Sequence, residues 1–490
     1  MGAGTVLVFQ WLLLLVFSIL AMAKPNNNLP GSRRNLGQDD DAISSSALQM
    51  FYYNQTLDHF NFQPQSFATF PQRYMIDSTY WGGADKNAPI FVYLGNEMSL
   101  EGTLTYLGFL SDNAPGFKAL IIYIEHRFYG KSVPSVSQRE ALKNETLRGY
   151  FNSAQALADY AELLLYLKKE LSATYSPIIV VGASYGAMLT TWFRLKYPHI
   201  AVGALASSAQ FLLLDDNIPQ DAFYRTVFDD FQESSQSCSE TIKASWDEIH
   251  KVASKPDGLS SLSQKFKTCR KLNNVSEIVT YLKHMYYQSA TFDMPPTDVI
   301  CRAIDGGSKG IDVLGQIFSG IVAFEGESSC YLNESKQLQN EDDTDLGLGW
   351  QSCSDLVFKF NYFGVDTSFP PPPFHLESYI KNCESLYGLP PRPYWMNDYF
   401  GVHDMKLVLK RFGSNIIFTS GLRDPWSTGG ILEDISHSIV AIVTKKGAHA
   451  SDVLKARKTD PEWLVKQRNK SLKIIEGWIT KYYDDLQFVP

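Results

Sequence analysis

Short apolar runs alternate with helical periodicity at both ends of this chain, and a long stretch between them breaks that rhythm. Ile90–Gly95 (IFVYLG), Ala119–Glu125 (ALIIYIE), Ile178–Val181 (IIVV) and Val202–Ser207 are too short for helices. Their β-branched and aromatic content predicts buried strands. Between the second and third, Leu157, Tyr160, Ala161, Leu164 and Leu171 share one helical face, and Asn152 with Gln155 is placed to cap it. After Ile178–Val181, the residues Met188, Leu189, Trp192, Phe193 and Leu195 recur at helical spacing until Pro198 ends the run. Strand-like runs return at Asn415–Ser420 (NIIFTS) and Ser438–Thr444 (SIVAIVT), with a helix expected over Ile431–His437 and a long final one over Pro461–Tyr483. Strands alternating with helices predict a mostly parallel sheet covered on both faces.

Residues 211–400 are different. They hold helix-like stretches at Ser239–Val252 and Val275–Tyr287, while Pro370–Pro373 and the acidic Glu341–Asp345 read as surface loops. The expected organisation is an α/β fold in which 50–210 and 401–490 are two parts of one sheet domain. Residues 211–400 form a mainly helical cap inserted between them. Ahead of these, residues 1–23 read as a signal peptide, with an apolar run from Val6 to Leu20 and an Ala21-Met22-Ala23 cleavage site. Residues 24–49 are rich in Asn, Ser, Asp and Gly and contain Arg33-Arg34, which reads as a linker or removable propeptide. No later apolar stretch is long enough to span a bilayer, so no stable membrane span is expected once the signal is removed.

Composition narrows the class. With 490 residues, 44% hydrophobic and 20% charged, the chain has the make-up of a large globular protein of more than one domain. A net charge of −8 argues against a nucleic-acid partner, because nothing neutralises a row of phosphates. All six cysteines (Cys238, Cys269, Cys301, Cys330, Cys353, Cys383) fall in the cap, and an even number in a secreted chain points to three disulfides. No C-x-x-C or H-E-x-x-H spacing occurs, so neither a metal nor a cofactor is expected. Sequons at Asn54, Asn144, Asn274, Asn333 and Asn469 agree with passage through the secretory route.

The chemistry centres on Gly182-Ala183-Ser184-Tyr185-Gly186. A bare G-x-S-x-G arises by chance about 0.15 times in a chain of this length, so the strand before it and the helix after it carry the weight. In a nucleophile elbow that context forces the turn to be tight, which is why the flanking positions are glycine. Ser184 is then the candidate nucleophile, and the Tyr185 N–H, at a helix start, is a candidate oxyanion donor. A serine needs a base and an orienting acid, in the chain order Ser, Asp or Glu, His. Asp424 stands in a loop directly after NIIFTS. Of the two later histidines, His437 falls in the expected helix, whereas His449 follows SIVAIVT at the sheet edge and is the candidate base. The loop after IFVYLG, Gly95-Asn96-Glu97, offers the second oxyanion donor at Asn96. Glu97 and Glu125 either orient neighbouring loops or bind an amine, and the residues alone leave both readings open.

A series of ordered blocks resembles the lysosomal Pro-X carboxypeptidase and dipeptidyl-peptidase II group of serine peptidases. They are QTLDHFN (55–61), QRY (72–74), GNE (95–97), EHRFYGKS (125–132), QALADYA (155–161), GASYGAML (182–189), WFRLKYPH (192–199), GALASSA (203–209), DPWSTGG (424–430) and GAH (447–449). The resemblance implies an α/β-hydrolase with a helical cap between nucleophile and acid. It implies a triad of Ser184, Asp424 and His449, peptide substrates cut after proline, and an acidic lysosomal, vacuolar or extracellular setting. It carries over three disulfides, Cys238–Cys301, Cys269–Cys330 and Cys353–Cys383, and a proline pocket using Met188 and Trp426, with Glu97 beside it. Homodimers occur in the group. Departures are Ala183 and Ala187 in place of elbow glycines, Ala450 where a second histidine is usual, and Arg423 where the group has an uncharged or acidic residue. An aminodipeptidase needs a carboxylate for the substrate's ammonium, expected shortly before Gln351-Ser352-Cys353, and no acid stands there. That favours release of a C-terminal residue over release of an X-Pro dipeptide. A non-catalytic binding protein on a hydrolase scaffold, and an esterase or lipase, are the readings of other classes.

Overall fold

The computed structural model describes residues 48–61, 67–293, 296–307, 310–332, 343–360 and 374–487. The expected signal peptide, Asn333 and Pro370–Pro373 lie outside the described residues. So does the expected linker as far as residue 47; its last two residues, Leu48 and Gln49, instead open the first strand. Among the described residues no helix is long and apolar enough to cross a membrane.

Eight strands form one sheet: β1 (Leu48–Thr56), β2 (Thr69–Asp77), β3 (Ile90–Leu94), β4 (Leu120–Ile124), β5 (Ile178–Ala183), β6 (Ala201–Ser207), β7 (Ile416–Gly421) and β8 (Ile439–Thr444). Their spatial order is β1-β2-β4-β3-β5-β6-β7-β8. β2 runs antiparallel to both β1 and β4, and every other neighbouring pair is parallel. This is the α/β-hydrolase sheet. The six later strands are the apolar runs read from the sequence, because strands covered on both faces carry almost no polar residues. The β1–β2 hairpin was not expected. β1 mixes Gln49, Asn54 and Gln55 with aromatics, and β2 contains Pro71. That proline is tolerated because β4 pairs β2 only from Tyr74 onward, which leaves Pro71 bonded on one side alone.

The two-residue alternation of the strands sorts the core into two layers. Val92, Ile122 and Val180 face the helices Ser153–Glu170 and Tyr185–Lys196 through Leu157, Leu164, Trp192 and Phe193. Phe91, Tyr123 and Ile179 face Ile475 and Ile479 of the final helix, Glu462–Leu486. The cap on Ser153–Glu170 is the expected one, with the Asn152 side chain accepting from the Gln155 N–H.

Between β6 and β7 the chain is helical, including Ala222–Ser234, Gln236–Ala253, Ser276–Phe292, Thr297–Asp305, Val313–Glu325, Asp343–Ser352 and Leu376–Tyr387. These helices bury their own core of Phe223, Phe231, Trp246, Leu282, Tyr286, Ile300 and Ile317. Disulfides join Cys238 to Cys301, Cys269 to Cys330 and Cys353 to Cys383. Of the four described sequons, Asn54, Asn144 and Asn469 are exposed and Asn274 is half-buried.

Two local expectations are corrected. Asp345, read as part of an acidic surface loop, is buried in the helix Asp343–Ser352, where Leu348, one turn further along the same face, is buried with it. Ile431–His437 is not helical. The Asp434 side chain accepts from the Ala441 N–H at 2.8 Å, a competing local bond that turns the segment straight into β8 and leaves His437 exposed.

The EHRFYG block builds a buried polar frame beside the sheet. All five N–H donors of Arg127 are used, two on the Asp159 carboxylate (2.6 and 2.5 Å) and three on the carbonyls of Leu57, Tyr150 and Thr56. His59 adds a contact to Asp159 at 2.8 Å. The pair joins the β1 end, the Tyr150 turn and the helix Ser153–Glu170. Removing one partner leaves the other charge buried and unpaired. Asp159→Ala is expected to cost about 3–5 kcal/mol, read as a lower urea midpoint at unchanged m-value.

Candidate active site

Ser184 is the residue between β5 and the helix Tyr185–Lys196, with φ 57° and ψ −126°. Such a conformation is rare for any residue with a side chain and marks a nucleophile elbow. The glycines around it are required by contact. A Cβ on Gly182 would lie 2.2 Å from the Gly186 carbonyl oxygen and 2.3 Å from Thr190 Oγ1, and one on Gly186 would press on Asn96 Cβ and the Leu94 carbonyl. The Ser184 N–H is tied to the Ser207 carbonyl of β6 at 2.9 Å. The Tyr185 N–H opens the helix, where the first-turn donors have no intrahelical acceptor.

Asp424 follows β7 and is fully buried. Its Oδ1 accepts from the Trp426 N–H at 3.0 Å, and its Oδ2 lies 2.7 Å from His449 Nδ1. His449 sits in the loop after β8, and its backbone N–H donates to Thr291 O at 2.7 Å. The Phe292 ring stands edge-on to the imidazole at 5.7 Å. The helix Ser276–Phe292 therefore fixes both the backbone and the ring of His449. Between the described side chains of Ser184 and His449 there is no direct hydrogen bond. The Ser184 hydroxyl and the Glu97 carboxyl line the same cavity, and the hydroxyl favours the ionised form of that carboxyl. Catalytic hydrogen bonds are often long or misaligned before substrate arrives.

One cavity gathers Asn96, Glu97, Ser184, Tyr185, Trp426 and His449, with Asp424 behind the imidazole. Its apolar wall is aromatic. Trp426 donates from Nε1 to Tyr287 OH at 3.3 Å and packs against the rings of Phe223, Phe358 and Phe360 at 5.0, 5.4 and 5.9 Å. Met188 is not on this wall. It is fully buried in the sheet core, one helical turn beyond the elbow, where it packs inward. Ala187 is buried in the same core, so its methyl does not crowd the cavity, whereas Ala183 and Ala450 do line it.

The structure separates the two glutamates. Glu125 does not line the cavity. It binds Arg73 through Nε at 3.2 Å and Nη2 at 2.5 Å, and accepts from the N–H groups of Leu100 (3.0 Å) and Lys131 (2.9 Å) and from Ser132 Oγ (2.8 Å). It is a loop organiser. Glu97 has no cationic side chain on it, and burial pushes its carboxyl up to about 7. Its own backbone N–H, His449 and the Ser184 hydroxyl pull the other way.

Several contributors were not legible as site residues. Tyr185 OH meets His126 Nε2 at 3.2 Å and Ser153 Oγ at 2.9 Å, and Ser153 Oγ donates to Asp355 Oδ2 at 2.9 Å. Burial lowers His126 to about 4, so it supports the elbow as a neutral ring. Tyr129 OH donates to Gln351, linking the EHRFYG block to the Gln-x-Cys segment. The EHRFYG block was the available signal for this frame. Arg423, a departure from the related group, reaches Asp230 and Asp293 at 3.3 Å and Thr297 Oγ1 at 2.8 Å. It thereby ties the Asp424 loop to the cap helices. Among the described residues no cluster of His, Cys, Asp and Glu is arranged to hold a metal ion.

Residues 55–471 match the family described as Serine carboxypeptidase S28. The chain is 34% identical to the lysosomal Pro-X carboxypeptidase of Mus musculus, over 97% of this chain and 99% of that one. It is 32% identical to the lysosomal Pro-X carboxypeptidase of Homo sapiens, over 89% of each. The thymus-specific serine protease of Homo sapiens is 26% identical over 91% of this chain and 90% of its own. With the strand order and the elbow, these likenesses place the chain in the serine carboxypeptidase S28 family, as a serine-type peptidase on an α/β-hydrolase sheet.

Proposed function

We propose that this peptidase releases the C-terminal residue from peptides ending in Pro-X, with Ser184 as nucleophile, His449 as base and Asp424 as the orienting acid. The observation that carries the reading is the 2.7 Å contact of His449 Nδ1 with Asp424 Oδ2, in the cavity that also holds the strained Ser184. Asp424 fixes the imidazole tautomer so that Nε2 takes the Ser184 proton as Oγ attacks the prolyl carbonyl. The Tyr185 N–H and a donor at Asn96 receive the oxyanion. His449 then protonates the departing amine, and water, activated by the same base, resolves the acyl-enzyme. Tyr287, Phe358 and Trp426 offer flat rings for a pyrrolidine, which needs no hydrogen bond of its own. The names of the mammalian relatives support the Pro-X preference. The three disulfides fit a secretory route, and a lysosomal, vacuolar or extracellular destination is part of the proposal.

A second reading, release of N-terminal X-Pro dipeptides, has one observation in its favour. Asp345 is buried in the helix whose Leu348 and Ser352 line the cavity, three and seven residues further along the same face. A carboxylate there is on the cap side, where an ammonium would have to be met.

Two peptides separate the readings at pH 5, followed by mass spectrometry. An N-blocked peptide ending in Pro-Phe with a free carboxylate is expected to lose Phe, and an unblocked Ala-Pro amide is expected to stay intact. Ser184→Ala should lower turnover at least ~10³-fold and abolish labelling by a fluorophosphonate probe, and Asp424→Asn should lower kcat by about 10⁴. Wild-type turnover by Ser184→Ala would end the proposal. Trp426→Ala is expected to reduce the preference for Pro over Ala at the cleavage site by ~10-fold or more, seen as the ratio of kcat/KM values for the two peptides.

A further inference from the structure

Among the described residues Glu97 is the one carboxyl lining the cavity, and no lysine or arginine lines it. The side chain is 5% exposed, and its Oε2 has no hydrogen-bond partner. The titratable groups that face it are Tyr93 from β3, Tyr106 from the helix Leu100–Tyr106, Tyr185 from the elbow helix and His449 from the loop after β8. None of these is a permanent cation. A buried polar oxygen without a partner, on a residue that lines a cavity, calls for an explanation. Here the cavity is also the place where a substrate must be cut.

A Pro-X substrate brings a charge that needs a place. The nitrogen of the departing residue has to reach His449, which protonates it. The free carboxylate of that same residue is therefore held close to His449. Glu97 lines the same cavity as Ser184 and His449 and so occupies that neighbourhood. With no lysine or arginine among the described residues of the wall, a neutral donor is the group at hand for recognition.

We propose that Glu97 recognises the substrate's free carboxylate, its carboxyl donating a hydrogen bond to one carboxylate oxygen so that the two acids share one proton. The inference rests on the carboxypeptidase reading above. Two carboxyls at close range hold one proton between them far more readily than two charges. A guanidinium would bind the substrate at any pH, whereas a carboxyl does so only while it carries its proton. The sign follows from the raised value. Protonated Glu97 prevails below about 7 in the free protein, so recognition is present in acid and is lost as pH rises through that value. Ionised Glu97 then repels the substrate. The same residue serving an ammonium would have the opposite dependence.

The test uses N-blocked peptides ending in Pro-Phe, one a free acid and the other its amide, with kcat/KM measured from pH 4.5 to 8. The substrate carboxylate is ionised throughout this range. Ser184 and His449 serve both peptides, so their titration cancels in the acid-to-amide ratio. The wild-type ratio is expected to fall at least ~10-fold between pH 5 and pH 8, since one pH unit past a titration is a factor of ten. In Glu97→Gln the amide N–H donates at every pH, and the ratio should become flat. A flat wild-type ratio in an enzyme that does release Phe overturns the Glu97 assignment alone, as does a Glu97→Gln enzyme that keeps the wild-type slope. Release of X-Pro dipeptides with no release of Phe overturns the carboxypeptidase reading and this inference together. The wild-type ratio needs no variant, so it decides the matter even where the substituted protein does not fold.

Discussion

A serine held at φ 57° is the constraint on which the rest of this structure depends. Left to itself such a backbone relaxes, at a gain of about 1–3 kcal/mol. What prevents relaxation is the crowding around it. Gly182 meets the Gly186 carbonyl at a distance that admits no side chain, Gly186 packs tightly on Asn96, and the Ser184 N–H is anchored on β6. These contacts exist only if β3, β5 and β6 are in register. The continuous burial of those strands fixes that register, since a one-residue slip would change which side chains face each layer of helices. The sheet is rigid where the elbow needs it to be.

The helical insert does more than cover this edge. Its helix Ser276–Phe292 supplies the carbonyl that holds the His449 backbone and the ring that flanks its imidazole. Arg423, next to Asp424, is pinned by Asp230 and Asp293 of the same insert. Asp355 reaches back to Ser153, and through it to the phenol of Tyr185. The Asp424 loop, the His449 loop and the elbow each have a support from the insert. Disulfides that fasten cap helices to one another are thus also constraints on the geometry of the cavity.

How much of this was legible depended on the physics of each element. Strands buried on both faces must be apolar throughout, so six of the eight could be read directly. The β1–β2 hairpin could not, because an edge strand has a solvent side and tolerates proline and amides. Asp424 and His449 were singled out from chain order and from their loops after strands, which is local information, and the fold brings their side chains to 2.7 Å. The wall around Trp426 was not, because Tyr287 and Phe292 of one insert helix meet Phe358 from a distant segment only in three dimensions. Met188 shows the opposite error. A residue one turn beyond the nucleophile is near the site along the chain, yet the helix directs it into the core. The cysteine pairing came from the family resemblance, since spacing alone leaves fifteen connectivities for six cysteines.

Three buried acids show what sequence cannot separate and environment can. Asp159, Glu125 and Glu97 are carboxyls in apolar surroundings, and the last two both stand in loops just after a strand. Asp159 faces a guanidinium with every donor in use. Glu125 has Arg73, two backbone N–H groups and a hydroxyl. Both are satisfied, and a satisfied buried charge organises the chain around it. Glu97 lines the cavity beside Ser184, and its buried Oε2 has no hydrogen-bond partner. Asp230, Asp355 and Asp452 also keep a buried oxygen with no hydrogen-bond partner, but Glu97 is the carboxyl that lines the cavity, and among the described residues no lysine or arginine lines it. Local rules of satisfaction are broken where a ligand completes the arrangement. The missing partner of Glu97 is then a property of the substrate, and the proton it keeps is what makes a carboxylate acceptable there.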